Sequence, residues 1–325
     1  MTTFSADEIE AAQRTVYAAM PRTPQYAWPL LRERLGSEVW VKHENHTPLG
    51  AFKVRGGLVY LQGLVQREPG CRGVISATRG NHGQSIAFAA RRHGLTATIV
   101  APHGNSVEKN AAMRALGAEL IEHGSDFQQA REHAALLAEE RGLHFVPSFH
   151  RDLVRGVASY WVEFFRAVQP AVVFVPVGQG SGICACIAAR AYTGVSTRIV
   201  GVVSAHATAY LESFRAGRCL EAPVTTLLAD GMACRVPDEE ALAMIRREAD
   251  DIVAVSDDEV AAAMRALFAD THNVAEGAGA ASFAAAMQQR DRWRGQTVGV
   301  TLCGGNVDSA VFTRVLAGGH NEGRA

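Results

Sequence analysis

The chain has 325 residues, enough for one large or two moderate domains, and at 48% hydrophobic and 20% charged residues it can bury a core of ordinary size. Its 32 basic and 33 acidic residues leave a formal net charge of -1, which gives no electrostatic basis for a nucleic-acid or anionic-membrane partner. No apolar run is long enough to span a bilayer, and the polar, acidic start MTTFSADEIEAAQ lacks the pattern of a signal peptide, so a cytoplasmic location is expected.

From residue 73 onward strand and helix alternate. GVISAT reads as a short buried strand, HGQSIAFAARRHG as an amphipathic helix closed by Gly94, and TATIVAP as a second strand. VEKNAAMRALGA predicts a helix ended by Gly117, ELIEHG a strand, DFQQAREHAALLAEERG a longer helix and HFVPS a further strand. A second series follows. AVVFVPVG is a buried strand, SGICACIAARAYTG a helix and RIVGVVS a strand; DDEVAAAMRALFADTH and GAASFAAAMQQRDRWRG are helices, and QTVGVTLCGG is the last strand. This order predicts an α/β fold of two units, with parallel sheets and flanking helices, facing a cleft. The expected smaller, substrate-side unit is 73–148, and 1–72 with 149–325 form the larger, cofactor-binding one. No internal repeat is visible, and no appended regulatory domain is expected.

The six cysteines, Cys71, Cys184, Cys186, Cys219, Cys234 and Cys303, form no C-x-x-C pair and read as reduced buried thiols. The twelve histidines show no HExxH pattern and no metal-ligand spacing.

Chemistry concentrates at three turns that follow strands, where an open parallel sheet binds its ligands. They are TRGNHGQS after GVISAT, GQGSGI (178–183) after FVPV, and CGGN (303–306) after VGVTL. In GQGSG, glycines let the backbone approach an anion and Ser181 adds a hydroxyl, ahead of a helix N-terminus; a plain tight turn has the same composition. The spacing fits neither a P-loop nor G-x-G-x-x-G, since Gly182 comes one position early. Lys53, in HTPLGAFKVRGG, is either a surface cation or a nucleophile held in a pocket. A nucleophilic lysine needs a depressed pKa and a rigid anchor, and Phe52 and the small residues around it are compatible with both.

In combination these stretches resemble the serine/threonine dehydratase family of pyridoxal-phosphate enzymes. GAFKVRG resembles its Ser/Ala-Phe-Lys-x-Arg-Gly, and TRGNHGQ its Ser-x-Gly-Asn-His-Gly. GQGSG stands where the family has a glycine run. ADGMA (229–233), AEGAGAA (275–281) and CGGNVD resemble its Ala-Asp-Gly-Ile-Ala, Glu-Pro-x-Gly-Ala and Ser-Gly-Gly-Asn-Val-Asp. The matches fall in the family's order from about residue 22 to 308. The resemblance implies a two-domain fold of the tryptophan synthase β type, with pyridoxal 5'-phosphate in the cleft. Lys53 would hold the cofactor covalently and act as the base at the α-carbon. Phe52 would pack beside the ring, or be a core aromatic. Asn81 would bond the 3-hydroxyl oxygen. Gly178, Gly180, Ser181 and Gly182 would cradle the phosphate, with Gln179 a further donor or an exposed turn residue. Thr78, Arg79, Gly80, Asn81 and His82 would form the turn that grips the substrate carboxylate. Cys303 would replace the serine facing the pyridine nitrogen. Glu276 would lie near the ring or leaving group, or be an ordinary helix-start acid.

Three departures qualify the resemblance. Arg79 occupies a small-residue position, where racemising members carry a serine base; an arginine cannot be that base, so little racemase activity is expected. Arg79 could instead clamp a carboxylate, including a second one on the substrate, or point away toward a surface acid. GVVSAHATAY (201–210) lacks the carboxylates of metal-binding members, so no metal site is expected. SFHRDLVRGVAS (148–159) replaces an acidic pattern and is expected to border the site, which admits a variant substrate such as a phenylserine or a hydroxyaspartate.

The expected function is ammonia-lyase chemistry. A β-hydroxy amino acid such as L-threonine or L-serine loses its hydroxyl and yields a 2-oxo acid and ammonia. The alternatives are a β-replacement synthase of the cysteine-synthase type and a non-catalytic cofactor-binding regulatory protein. The expected partner is a small-molecule amino acid, and a homodimer is expected by family analogy.

Overall fold

The computed structural model describes residues 4–319. The first three and last six residues of the expected large unit lie outside the described residues. The N-terminal quarter holds α1 (Ala6–Tyr17), β1 (Gln25–Ala27), α2 (Pro29–Leu35), β2 (Glu38–His43) and α3 (Lys53–Arg67). Then come β3 (Gly73–Ala77), α4 (Asn81–Arg92), β4 (Thr96–Ala101), α5 (Val107–Ala115), β5 (Glu119–Glu122), α6 (Phe127–Arg141) and β6 (His144–Phe145). The remainder runs α7 (Arg151–Ala167), β7 (Val172–Pro176), α8 (Ser181–Thr193), β8 (Arg198–Ser204), α9 (Ala209–Ala216), α10 (Glu239–Glu248), β9 (Asp251–Val255), α11 (Asp257–Thr271), α12 (Gly277–Gln288), β10 (Thr297–Leu302) and α13 (Ser309–Leu316).

Two sheets result. The larger has the order β1-β2-β10-β7-β8-β9, parallel except for β1, which pairs antiparallel with β2 through Gln25 and Lys42. The smaller has the order β5-β4-β3-β6 and is all parallel. Side-chain alternation assigns the faces. Val173 and Val175 of β7 face a core built with α7, α8 and α10, while Val172 and Phe174 face a core built with α11 and α12. The smaller sheet is likewise covered on both faces, with Val74, Ala97 and Ile99 against α1, α3 and α4, and Ile75 and Val100 against α6. Strands buried on both faces read as near-continuous apolar runs, which is why GVISA and VVFVP are legible as strands. The helix α3 begins at Lys53 and packs into the core of the smaller sheet, although the strand before it, β2, belongs to the larger one.

The start of α3 is fixed by a fully buried ion network. Arg55 pairs with Glu44 (2.7 Å) and Glu163 (2.7 Å) and donates to Ser159 (2.9 Å), and Lys42 pairs with Glu163 (2.6 Å). Two cations meet two carboxylates, so the burial is balanced; breaking such a pair by removing one partner costs about 3–5 kcal/mol.

Most helices away from the cleft begin with a side-chain cap, among them Ser5 and Ser256, each in a capping box, Ser106, Asp126 and Asp238. The helices α3, α4, α8 and α12 have none. Their first turns meet at the cleft. No described helix is long and apolar enough to cross a membrane.

Candidate active site

A cavity opens where the two sheets' carboxyl ends face each other. All the residues singled out from sequence line it: Phe52, Lys53, Thr78, Arg79, Gly80, Asn81, His82, Gly178, Gln179, Gly180, Ser181, Gly182, Glu276 and Cys303. Separate segments of the chain are therefore brought together.

Lys53 is held by its backbone before its side chain matters. The loop ahead of it is stapled to the turn after β10: Phe52 N–H donates to Cys303 O (2.9 Å), Gly305 N–H to Gly50 O (2.9 Å), and Asn306 Nδ2 to Leu49 O (2.8 Å). The Lys53 carbonyl accepts from Ser85 Oγ (2.6 Å). Its amine then reaches Ser181 Oγ at 3.3 Å and lies 4.9 Å from the Phe52 ring centre. Phe52 itself is half-buried and packs edge-on to Tyr160, so it is at once a core aromatic and a wall of the cavity. The Lys53 residue is half-buried, but its amine end lies inside the protein-walled cleft. Burial there lowers its pKa, with Cys303 and Glu276 opposing.

Two helix N-termini point donors into the cavity. In α8 the first intrahelical donor is Cys184, to Gly180 O (3.0 Å), so the N–H groups ahead of it have no acceptor within the helix. This glycine loop is tightly backed. A Cβ on Gly178 would meet Gly231 O at 2.3 Å, and Tyr210 Oη donates to Gln179 O (3.2 Å) while accepting from Asp238 N–H (3.1 Å). In α4 the first intrahelical donor is Gln84, to Gly80 O (3.0 Å), which leaves Asn81 and His82 N–H without helix acceptors. Thr78 is spent on the turn itself, accepting from Gly80 N–H (2.9 Å) and Gly83 N–H (3.4 Å). Gly80 has φ +153°, and a Cβ there would strike Lys109 Cδ at 2.4 Å; a side chain would be excluded on both counts.

His82 is buried, and burial and the nearby Lys53 push its pKa down to about 3, so the ring is neutral; its Nε2 has no partner. Cys303 is buried, its thiol donates to Ala278 O (3.5 Å), and burial raises its pKa, so it stays protonated. Asn81 Nδ2 donates to Glu276 Oε1 (2.7 Å) and Asn81 Oδ1 accepts from Asn306 Nδ2 (2.8 Å), which leaves one amide hydrogen free.

Sequence reasoning missed Lys109, on α5. It is buried, pairs with Asp230 (2.8 Å) and Glu276 (3.2 Å), and forms part of the cavity wall. Burial works against its charge, but the two carboxylates outweigh that and hold it protonated. Glu276, the N-cap residue of α12, thus turns its carboxylate to Lys109 and Asn81 instead of capping its own helix. Of the segment 148–159, Ser148 lines this cavity; Arg151 pairs with Glu8 (2.6 Å), while Val157, Ala158 and Ser159 are buried in α7. That stretch is chiefly packing, with a smaller share in the site than its position in the motif order suggests. Among the described residues, no three His, Cys, Asp or Glu side chains are grouped to hold a metal ion.

The donor set fits pyridoxal 5'-phosphate. An uncapped helix N-terminus with a serine hydroxyl suits a phosphate ester, a lysine of lowered pKa lies beside it, and a second uncapped N-terminus suits a carboxylate.

Residues 16–304 match the model of the pyridoxal-phosphate dependent enzymes. The L-threonine ammonia-lyase of Thermotoga maritima is 33% identical over 96% of this chain and 78% of its own length. The L-threo-3-hydroxyaspartate ammonia-lyase of Saccharomyces cerevisiae is 31% identical over 96% of both chains. The solved structure of the processed threonine deaminase isoform 2 of Solanum lycopersicum superimposes with a TM-score of 0.87 at 28% identity, covering 97% of this chain and 94% of that one. The chain belongs to the pyridoxal-phosphate-dependent enzymes, within the threonine/serine dehydratase family. It is an enzyme of the threonine-dehydratase type, and its cofactor is pyridoxal 5'-phosphate.

Proposed function

We propose that this enzyme eliminates water from a β-hydroxy amino acid of the L-threonine or L-serine kind, and that hydrolysis of the resulting imine takes one water back up, so that the net products are a 2-oxo acid and ammonia. The observation that carries this reading is the pair flanking the cavity: Lys53, whose pKa is lowered by burial, and Cys303, a buried thiol that stays protonated. The relatives named as ammonia-lyases and a deaminase support it.

Pyridoxal phosphate, when bound, supplies the electron sink for bonds broken at the α-carbon. The uncapped turn of α8, with Gly178, Gln179, Gly180, Ser181 and Gly182, would hold the phosphate. Phe52 would pack beside the ring, and Asn81 would bond the 3-hydroxyl oxygen. Cys303, a thiol that burial keeps neutral, would face the ring nitrogen without protonating it as a carboxylate partner would, and the weaker electron sink supplied there would favour elimination over racemisation. Neutral Lys53 Nζ takes the α-proton. The N–H groups of Asn81 and His82, in the turn organised by Thr78 and Gly80, orient the α-carboxylate. The β-hydroxyl takes up one proton, equal to the one removed from the α-carbon, and leaves as water; water then adds to the imine formed from the released enamine, giving ammonia and the 2-oxo acid.

The larger unit is taken as 1–72 with 149–325 and the smaller as 73–148, supported by strand membership, since β3 to β6 alone make the four-stranded sheet. The same reading includes a cytoplasmic location, no nucleic-acid or membrane partner, no metal site, and a homodimer, which sedimentation would check. The activity test is incubation of holoenzyme with L-serine, L-threonine and L-threo-phenylserine, without any thiol, while 2-oxo acid and ammonia are followed. Stoichiometric release of both supports the lyase. Turnover that needs an added thiol points to a β-replacement synthase. Bound cofactor with no turnover of any β-hydroxy amino acid points to a regulatory protein.

A further inference from the structure

Among the described residues, the permanent cation Arg79 lines the cleft without a carboxylate counterpart. Asp230 and Glu276 are both taken by Lys109, at 2.8 and 3.2 Å. Lys53 has a lowered pKa and contacts Ser181. Arg79 lines the cavity beside Lys53, Asn81 and His82, and also lines the adjoining cavity with Asn105, Ser106 and Lys109. Its Nε is buried and has no hydrogen-bond partner, and among the described residues no carboxylate lies within ion-pair distance of its guanidinium. The alternative of a surface ion pair, open from sequence, is therefore not the arrangement found. A permanently charged, half-buried guanidinium whose Nε–H has lost water and gained no acceptor is costly unless a ligand supplies one.

The other two anions of the reaction already have seats. The first turn of α8 faces the phosphate position, and the first turn of α4 offers Asn81 and His82 N–H for an α-carboxylate. Arg79 immediately precedes that second seat. Its planar fork matches a carboxylate with two parallel hydrogen bonds.

We propose that Arg79 is a specificity-determining residue that receives a second carboxylate, carried on the substrate's β-carbon, so that the preferred substrate is a β-hydroxy dicarboxylic amino acid. This rests on the lyase reading above and narrows its substrate class. A neutral side chain such as the hydrogen of serine or the methyl of threonine leaves the buried Nε–H unpaired. A β-carboxylate satisfies it.

The test uses holoenzyme, wild type beside Arg79→Gln and Arg79→Lys, with two readouts. The first is the ratio of kcat/KM for 3-hydroxyaspartate to that for serine. A charge-assisted pair of this kind predicts a ratio that falls roughly 30- to 100-fold in Arg79→Gln, chiefly through KM, and is partly restored in Arg79→Lys. The second needs no turnover: calorimetric binding of succinate against butyrate. Succinate is expected to bind at least about tenfold more tightly in wild type, an advantage lost in Arg79→Gln. An unchanged ratio together with equal loss on both substrates assigns Arg79 to the α-carboxylate and overturns the proposal, as does equal binding of succinate and butyrate by wild type. Arg79-dependent succinate binding in a protein that forms no 2-oxo acid from any β-hydroxy amino acid would sink the lyase reading while leaving the second-carboxylate seat intact.

Discussion

The Lys109 ammonium lies 3.2 Å from the Glu276 carboxylate, joining α5 on the four-stranded sheet to the first turn of α12 on the six-stranded one. Three further hydrogen bonds tie the start of α5 to the start of α13: Ser106 donates to Asp308, and Ser309 donates to Glu108 through both its N–H (2.8 Å) and its Oγ (2.7 Å). One side of the cleft is thus closed by polar contacts between the two layers. Burial raises the Glu276 pKa and Asp230 adds to that, while Lys109 and Asn81 oppose them. Removing Lys109 therefore moves the Glu276 pKa further up, and a protonated Glu276 grips Asn81 less well. Lys109→Met is expected to lower kcat/KM about tenfold or more near neutral pH and to shift the acid limb of the profile to higher pH; Lys109→Arg restores much of both. Full pH profiles of the three proteins check this, because a purely structural defect would lower activity without moving the limb.

The phosphate loop depends on a phenol. Tyr210 Oη bridges Gln179 O and Asp238 N–H, so Tyr210→Phe leaves both unpaired beside the loop. A loss of about 1 kcal/mol is expected, seen as a several-fold weaker Kd for pyridoxal phosphate by equilibrium dialysis. Gly178→Ala should do more, since its new methyl would overlap the Gly231 carbonyl and displace the loop.

Burial lowers the Lys53 pKa below its usual 10.5, so the amine loses its proton earlier as pH rises. The rate at which apoprotein takes up pyridoxal phosphate should climb with pH and level off below 10.5. A surface lysine would still be climbing there.

Acid stability has a named source. Burial alone would raise the Glu163 pKa, but Arg55 and Lys42 outweigh it and hold the carboxyl below 4.5. A depressed carboxyl contributes stability that is fully present above 4.5 and is lost as pH falls through its lower folded value. Glu163→Gln should cost about 3–5 kcal/mol at neutral pH and flatten the acid side of the Tm profile, measured by thermal melts taken from neutral into acid pH.

Much of this architecture is legible because its signals are local. Each of β3, β4, β7, β8 and β10 is a short buried apolar run, and the helices between them carry their own periodicity and stops. The glycine turns announce the site because close backbone approach needs glycine whatever the distant partner. What escapes is set by long-range pairing. Lys109 looks like one more lysine on an amphipathic helix; its partner Asp230 is 121 residues away, and nothing local marks the pair. The Arg55 network joins residues of β2, α3 and α7 in the same way, so the stretch 148–159 reads from sequence as a border of the site, where Ser148 does lie, while the burial of its later residues in α7 is not legible. The short edge strand β1, three residues long, carries too little apolar sequence to stand out. Arg79 is visible as a departure from the motif, but its lack of a counter-charge is a property of the assembled cleft.

The most direct measurement is the absorbance spectrum of the purified protein, wild type beside Lys53→Ala, after reconstitution with pyridoxal phosphate and borohydride reduction, followed by peptide mass mapping. A visible band in wild type that borohydride abolishes, with the cofactor mass fixed on the peptide containing Lys53, is the expected result. Identical spectra from the two proteins, or the label on another lysine, would contradict the assignment of Lys53 as the anchor of the site.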